Sequence, residues 1–134
     1  MEADHKVIAH RTITSEALPL VRVIAESMAL DAGVDGERAS RFALAVHELA
    51  TNSIEHAGGG ELTVVQDDQR MVYAEVADHG QGIPEPLELT APSPDAVRGR
   101  GLWLSQQLSD RMSIETGSHG TTVRVELRSD PSLA

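Results

Sequence analysis

A chain of 134 residues and 14.3 kDa is expected to form one domain, too short for two independent cores. It contains no cysteine, which excludes disulfides, thiolate zinc sites, iron–sulfur clusters and cysteine nucleophiles. The 11 Lys and Arg against 21 Asp and Glu give a formal net charge of −10, which repels nucleic-acid phosphate and anionic membranes, so neither is an expected direct partner. An acidic surface suits a basic protein partner, and it equally serves plain solubility.

With 40% hydrophobic residues, a domain of this size can bury roughly two thirds of the surface its unfolded chain exposes. The start, Met1 to Lys6, lacks a basic region followed by an apolar run. No stretch approaches the roughly 18 apolar residues of a membrane span. A soluble, cytoplasmic protein is the expectation.

Lys6 to Ile13 is mixed and β-branched and reads as a strand. Thr14 or Ser15 can cap a first helix, in which Leu18, Val21, Ile24, Ala25 and Met28 recur at helical spacing and Pro19 falls in the tolerant first turns. Asp31 to Gly36 is a loop. Glu37 to Ala57 reads as a second helix with Phe42, Val46, Leu49, Ala50 and Ser53 on one stripe, stopped by Gly58-Gly59-Gly60.

Leu62–Gln66 and Met71–Ala77 alternate as strands do, with Asp67 to Arg70 as the hairpin turn between them. Four of the six prolines fall between Pro84 and Pro94, so Ile83 to Val97 is expected to be an irregular surface excursion. A third helix, Leu102–Leu108, follows. Met112–Thr116 and Thr121–Leu127 then close the fold, with Val123, Val125 and Leu127 inward and Thr122, Arg124 and Glu126 outward. The order βααββαββ implies an α/β (α+β) two-layer sandwich, a mixed, mainly antiparallel sheet covered on one face by about three helices.

Four polar features stand apart from this framework. Glu48, Asn52 and His56, spaced i, i+4, i+8, line one face of the second helix beside its apolar stripe. Taken alone, such a line is also what a solvated helix face looks like. His47-Glu48 resembles the start of a zinc-protease motif, but Thr51 stands where the second histidine is needed. After the second hairpin strand comes Asp78-His79-Gly80-Gln81-Gly82. A turn needs only one glycine, and a carboxylate at a strand end can accept a hydrogen bond from the exocyclic amine of a base.

Further on, Arg98-Gly99-Arg100-Gly101-Leu102 opens the third helix, where exposed amides and two arginines suit phosphate. Gly120-Thr121 enters the last strand. There is no Gly-Lys-Ser/Thr, and the only lysine is Lys6, so a Walker-type loop is excluded.

In this order, Glu48-x-x-x-Asn52-x-x-x-His56, Asp78-x-Gly80-x-Gly82, Gly99-x-Gly101-Leu102 and Gly120-Thr121 resemble the N, G1, G2 and final G-T boxes of the GHKL ATPase superfamily, whose ATP-binding domain has the Bergerat-type fold. The resemblance runs from about Val7 to Leu127, and the compact form is similar to the anti-sigma-factor serine kinases of bacteria. It implies ATP and Mg²⁺ as cofactors, with Asn52 a ligand of Mg²⁺ through its side-chain oxygen. It implies that Asp78 accepts from the adenine amine, that Gly80 and Gly82 let the base lie against backbone, and that Thr121 supports the same edge. Arg98, Gly99, Arg100, Gly101 and Leu102 would meet the phosphates, beneath an ATP lid formed by residues 83–97. Glu48 would be the general base and His56 a supporting residue.

The function so implied is an ATP-dependent serine-protein kinase that sequesters a sigma factor and phosphorylates a serine on an anti-anti-sigma antagonist of the STAS type. A non-catalytic ATP-dependent binding switch is the alternative reading, and the ATPase domain of a histidine kinase a third. Relatives of the anti-sigma type act as homodimers, for which Val7, Ile8 and Ile13 offer an apolar surface.

Overall fold

The computed structural model describes residues 7–67, 71–82 and 100–128. In chain order these form β1 (Val7–Ile13), α1 (Leu18–Asp31), α2 (Gly36–Ala57), β2 (Gly60–Gln66), β3 (Met71–Asp78), α3 (Arg100–Leu108), β4 (Arg111–Gly117) and β5 (Gly120–Arg128). The element order matches the sequence reading. The proline-rich excursion of residues 83–97, Arg98, Gly99 and residues 68–70 of the hairpin turn lie outside the described residues.

The sheet runs β1-β2-β3-β5-β4, and all four pairings are antiparallel rather than mixed. The swap at the end follows from composition. β5 carries Val123, Val125 and Leu127, all under 5% exposed, and takes the inner position beside β3. β4 carries Ser113, Glu115 and Thr116, all exposed, and takes the edge. Register aligns Leu62, Val76, Val123 and Ile114 in one row and Val64, Ala74, Val125 and Met112 in the next, on the face that meets the helices. Thr122, Arg124 and Glu126 fall on the opposite face, where Arg124 lies 3.6 Å above the Tyr73 ring and pairs with Glu126 at 3.3 Å.

On β1, Ile13 is 1% exposed and belongs to the core. It therefore offers no surface to a partner, and only Val7 and Ile8, at 53% and 62% exposure, remain outward.

α1 starts without a side-chain cap, its N-cap position being Ala17. Thr14 acts one step earlier than a cap: its hydroxyl and carbonyl accept the Ala17 amide at 3.1 and 3.0 Å, forming a turn that delivers the chain to Pro19. Proline lacks an amide and needs no capping partner in the first turn. Val21, Ala25, Met28 and Ala29 are buried, while Leu20, Val23 and Leu30 on the far side are exposed.

α2 has the strongest local signals. The Asp35 carboxylate accepts the Arg38 amide at 3.0 Å as an N-cap. At the other end Gly58 adopts φ 77°, and the Gly58 and Gly59 amides close on the Ile54 and Ser53 carbonyls. Phe42, Val46, Leu49, Ala50 and Ser53 are all buried, as the stripe predicts. α3 lies against this helix, with Leu102 at 4% exposure and the Ser105 hydroxyl donating to the Ala45 carbonyl at 3.1 Å.

Asp110 joins the layers. Its Oδ2 accepts from Arg38 Nη2 at 3.0 Å and from the Arg128 amide at 2.8 Å, tying the start of α2 to the β4–β5 end of the sheet.

Candidate functional site

The Asp78 loop, the Gly120-Thr121 pair and the His56 end of the α2 line meet where β3 ends, β5 begins and α2 finishes. Asp78 is the last residue of β3 and pairs in register with Thr121. Its Oδ1 accepts the Gly80 amide at 3.0 Å and the Thr121 amide at 3.2 Å. One carboxylate oxygen thus locks the strand end, and among the described residues Oδ2 has no hydrogen-bond partner. An ionised carboxylate only accepts, so this half-buried group presents a fixed acceptor at the mouth of the sheet.

The glycines set the loop around it. A Cβ at Gly80 would stand 2.9 Å from the Ala57 Cβ and 3.3 Å from the His56 carbonyl, so its absence lets the loop rest on the end of α2. Gly82 has φ +87°, and a Cβ there would overlap the Gly117 carbonyl. Gly120 has φ +136°, and a Cβ there would overlap the Asp78 carbonyl. Sequence reasoning opens Gly80 and Gly82 toward a ligand; in the fold the Cβ position of each faces protein atoms, and their first effect is to hold residues 78–82 close to α2 and the β4–β5 hairpin.

Glu48 and Asn52 are half-buried on α2, while His56 in its last turn is exposed. Neither Glu48 nor Asn52 has a side-chain hydrogen bond or ion pair among the described residues. Thr51 beside them is satisfied internally, its hydroxyl donating to the His47 carbonyl at 2.9 Å. Because Gly80 rests on His56 and Ala57, the line from Glu48 to His56 runs about 12 Å along the helix and ends at the Asp78 loop.

Arg100 and Gly101 form the first turn of α3, and Arg98 and Gly99 precede the described segment. The Leu102 side chain is in the core, which leaves its backbone as the part able to meet a ligand. Among the described residues no three His, Asp or Glu side chains gather closely enough to hold a metal ion. A hard cation at Asn52 would therefore draw most of its oxygen ligands from a bound phosphate and water.

Thr121 is 7% exposed, and its hydroxyl lies 2.8 Å from that of Thr116. Sequence reasoning missed Thr116. The available signal was register: Gly117 faces Gly120 across the hairpin, so Thr116 must face Thr121.

The model of the histidine kinase-like ATPase domain family matches residues 12–127 of this chain. The fold is similar to the histidine kinase domain from the Erythrobacter litoralis EL346 blue-light activated histidine kinase, with TM-score 0.59 and 22% identity over 83% of this chain and 60% of that one. It is also similar to full-length ShkA in complex with AMPPNP, with TM-score 0.53 and 20% identity over 89% of this chain and 31% of that one. The chain therefore spans less than two thirds of either structure. No curated protein matches the sequence.

Proposed function

Because the chain belongs to the histidine kinase-like ATPase domain family, an ATP-binding domain of GHKL type, we propose that it is an anti-sigma factor and serine-protein kinase, which holds a sigma factor and phosphorylates a serine on a STAS-type antagonist. The observation that carries the nucleotide site is Asp78: one oxygen is fixed by two amides, and the other, without a hydrogen-bond partner among the described residues, would accept from the adenine amine. From there the phosphates would run back along α2 toward Asn52 and Glu48. They would meet the first amides of α3, with Arg100 and Gly101 at its start.

Mg²⁺ held by Asn52 and the phosphate oxygens would offset charge on the transferring group. Glu48 stands one turn from Asn52, half-buried and with no side-chain partner among the described residues, which suits a base. A serine hydroxyl must lose its proton as its oxygen bonds to the γ-phosphorus. The bond from that phosphorus to the bridging oxygen breaks, ADP leaves, and the proton rests on the Glu48 carboxylate.

The net charge of −10 favours a basic partner surface such as a DNA-binding protein presents. A homodimer would use Val7 and Ile8 on the edge strand β1. The proposal includes a cytoplasmic setting; no helix among the described residues is long and apolar enough to cross a membrane.

The test follows the γ-phosphate of labelled Mg·ATP in a lysate of the source organism with added wild type or Glu48→Ala protein. One small acceptor labelled on serine, and unlabelled with the variant, is the expected result. ATP binding with no labelled acceptor would replace the kinase with a nucleotide-dependent binding switch.

A further inference from the structure

Among the described residues the exposed large hydrophobic side chains are Val7 and Ile8 on β1 and Leu20, Val23 and Leu30 on α1, the last three at 45%, 61% and 47% exposure. The α1 group is not scattered. Leu20, Val23 and Leu30 share one stripe with the exposed Ser27, at intervals of three, four and three residues. At 100° per residue the four fall within about 80° of one another, across the helix from the buried Val21, Ala25, Met28 and Ala29. A surface helix turns its polar residues to the solvent opposite its core face. α1 instead is apolar on both sides and keeps its charges on the flanks.

Intervals of three and four are those by which two helices mesh, each seam residue seated among those of the other helix. The charged residues bordering this seam are Glu26 on one flank and Asp31 on the other, while Arg22 stands further round toward the core. A second copy of α1 is therefore a poor occupant. Paired in parallel it sets Glu26 against Asp31 of the other copy, and paired antiparallel it sets each acid against its own counterpart; like charges across such a seam repel.

We propose that the outer face of α1 is a docking site for an amphipathic helix of another protein, one whose apolar seam is bordered by Lys or Arg. Its apolar side chains would pack on Leu20, Val23 and Leu30, with the small Ser27 leaving room for a bulky one, and its cations would meet Glu26 and Asp31. The net charge of −10 draws the same partner on approach. The face is independent of the nucleotide reading, since α1 contributes no residue to the line from Glu48 to Asp78.

The experiment titrates the full chain against a fluorescently labelled synthetic helical peptide with leucine along its seam and lysine on both flanks, read by anisotropy. The controls are the same peptide with glutamate on the flanks and a scramble of the lysine peptide that keeps its composition but has no seam. The proteins are wild type, Val23→Ser and Asp31→Lys, all changed at exposed positions. The expected result is saturable binding of the lysine peptide to wild type, weakened at least about tenfold by Val23→Ser and made less salt-sensitive by Asp31→Lys, with ATP affinity unchanged in both variants. Scrambled or glutamate-flanked peptide binding as tightly as the lysine peptide, Val23→Ser binding as wild type does, or no saturable binding to wild type would each overturn the proposal. A wild-type dimer that Val23→Ser converts to monomer in sedimentation would also overturn it, by making a second copy the occupant.

Discussion

Asp78 and Thr121 meet through a 3.2 Å bond from the Thr121 amide to the Asp78 carboxylate, so the residue proposed to read the base also latches β3 to β5. The two roles use different oxygens and are separable. Asp78→Asn can keep an oxygen in place of Oδ1 and is expected to cost under about 1 kcal/mol of stability. Asp78→Ala leaves the Gly80 and Thr121 amides without their acceptor and is expected to cost about 1–3 kcal/mol. Urea unfolding of the three proteins checks the difference.

Gly120 sits on the same junction. With φ +136° and the Asp78 carbonyl occupying the space of a Cβ, Gly120→Ala must move β3 away from β5. The expected loss is about 2–4 kcal/mol, read as a fall in the denaturation midpoint. Gly36 has nothing within 4 Å of its Cβ position, and Gly36→Ala is the matched control, with an effect inside about 1 kcal/mol.

Asp110 tests stability away from the site. Its pairing with Arg38 is partly exposed, which discounts the charge contribution, but it also accepts the Arg128 amide. Asp110→Ala is expected to lower stability by about 1–2 kcal/mol and to leave nucleotide affinity unchanged in a titration at a temperature where the variant is folded.

α2 was the most legible element because two local signals agree on it, the apolar stripe through Phe42 and Leu49 and the Gly58 stop; the Asp35 cap, which starts the helix at Gly36, was read as part of the loop. The inward and outward residues of β5 were equally readable from their alternation. The start of α1 was not, since Thr14 forms a turn ahead of the helix and Pro19 removes the need for a cap. Ile13 looked like partner surface because its strand is mixed; only the placement of α1 and α2 over the sheet buries it. In the site, Asp78 and Thr121 were legible as motif residues. Thr116, which meets Thr121 across the hairpin, was not, and neither, away from the site, was Asp110, whose partners are distant in sequence; no local pattern marks either.

Glu48 divides binding from transfer. Glu48→Gln keeps the size and polarity of the side chain while removing its basicity. ATP affinity is expected to stay within about threefold of wild type, and phosphoryl transfer to the acceptor to fall by about 10²–10⁴. Single-turnover transfer measured beside equilibrium binding distinguishes this from a general loss of the site.

The central claim is a nucleotide site built on Asp78, and calorimetric titration of ATP into wild type and Asp78→Asn tests it most directly. The account predicts saturable, one-to-one binding to wild type and a loss of about 10–100-fold in the variant, the worth of a hydrogen bond to a charged group, with its fold retained by circular dichroism. Equal affinity in the two proteins would place the nucleotide elsewhere and contradict the account.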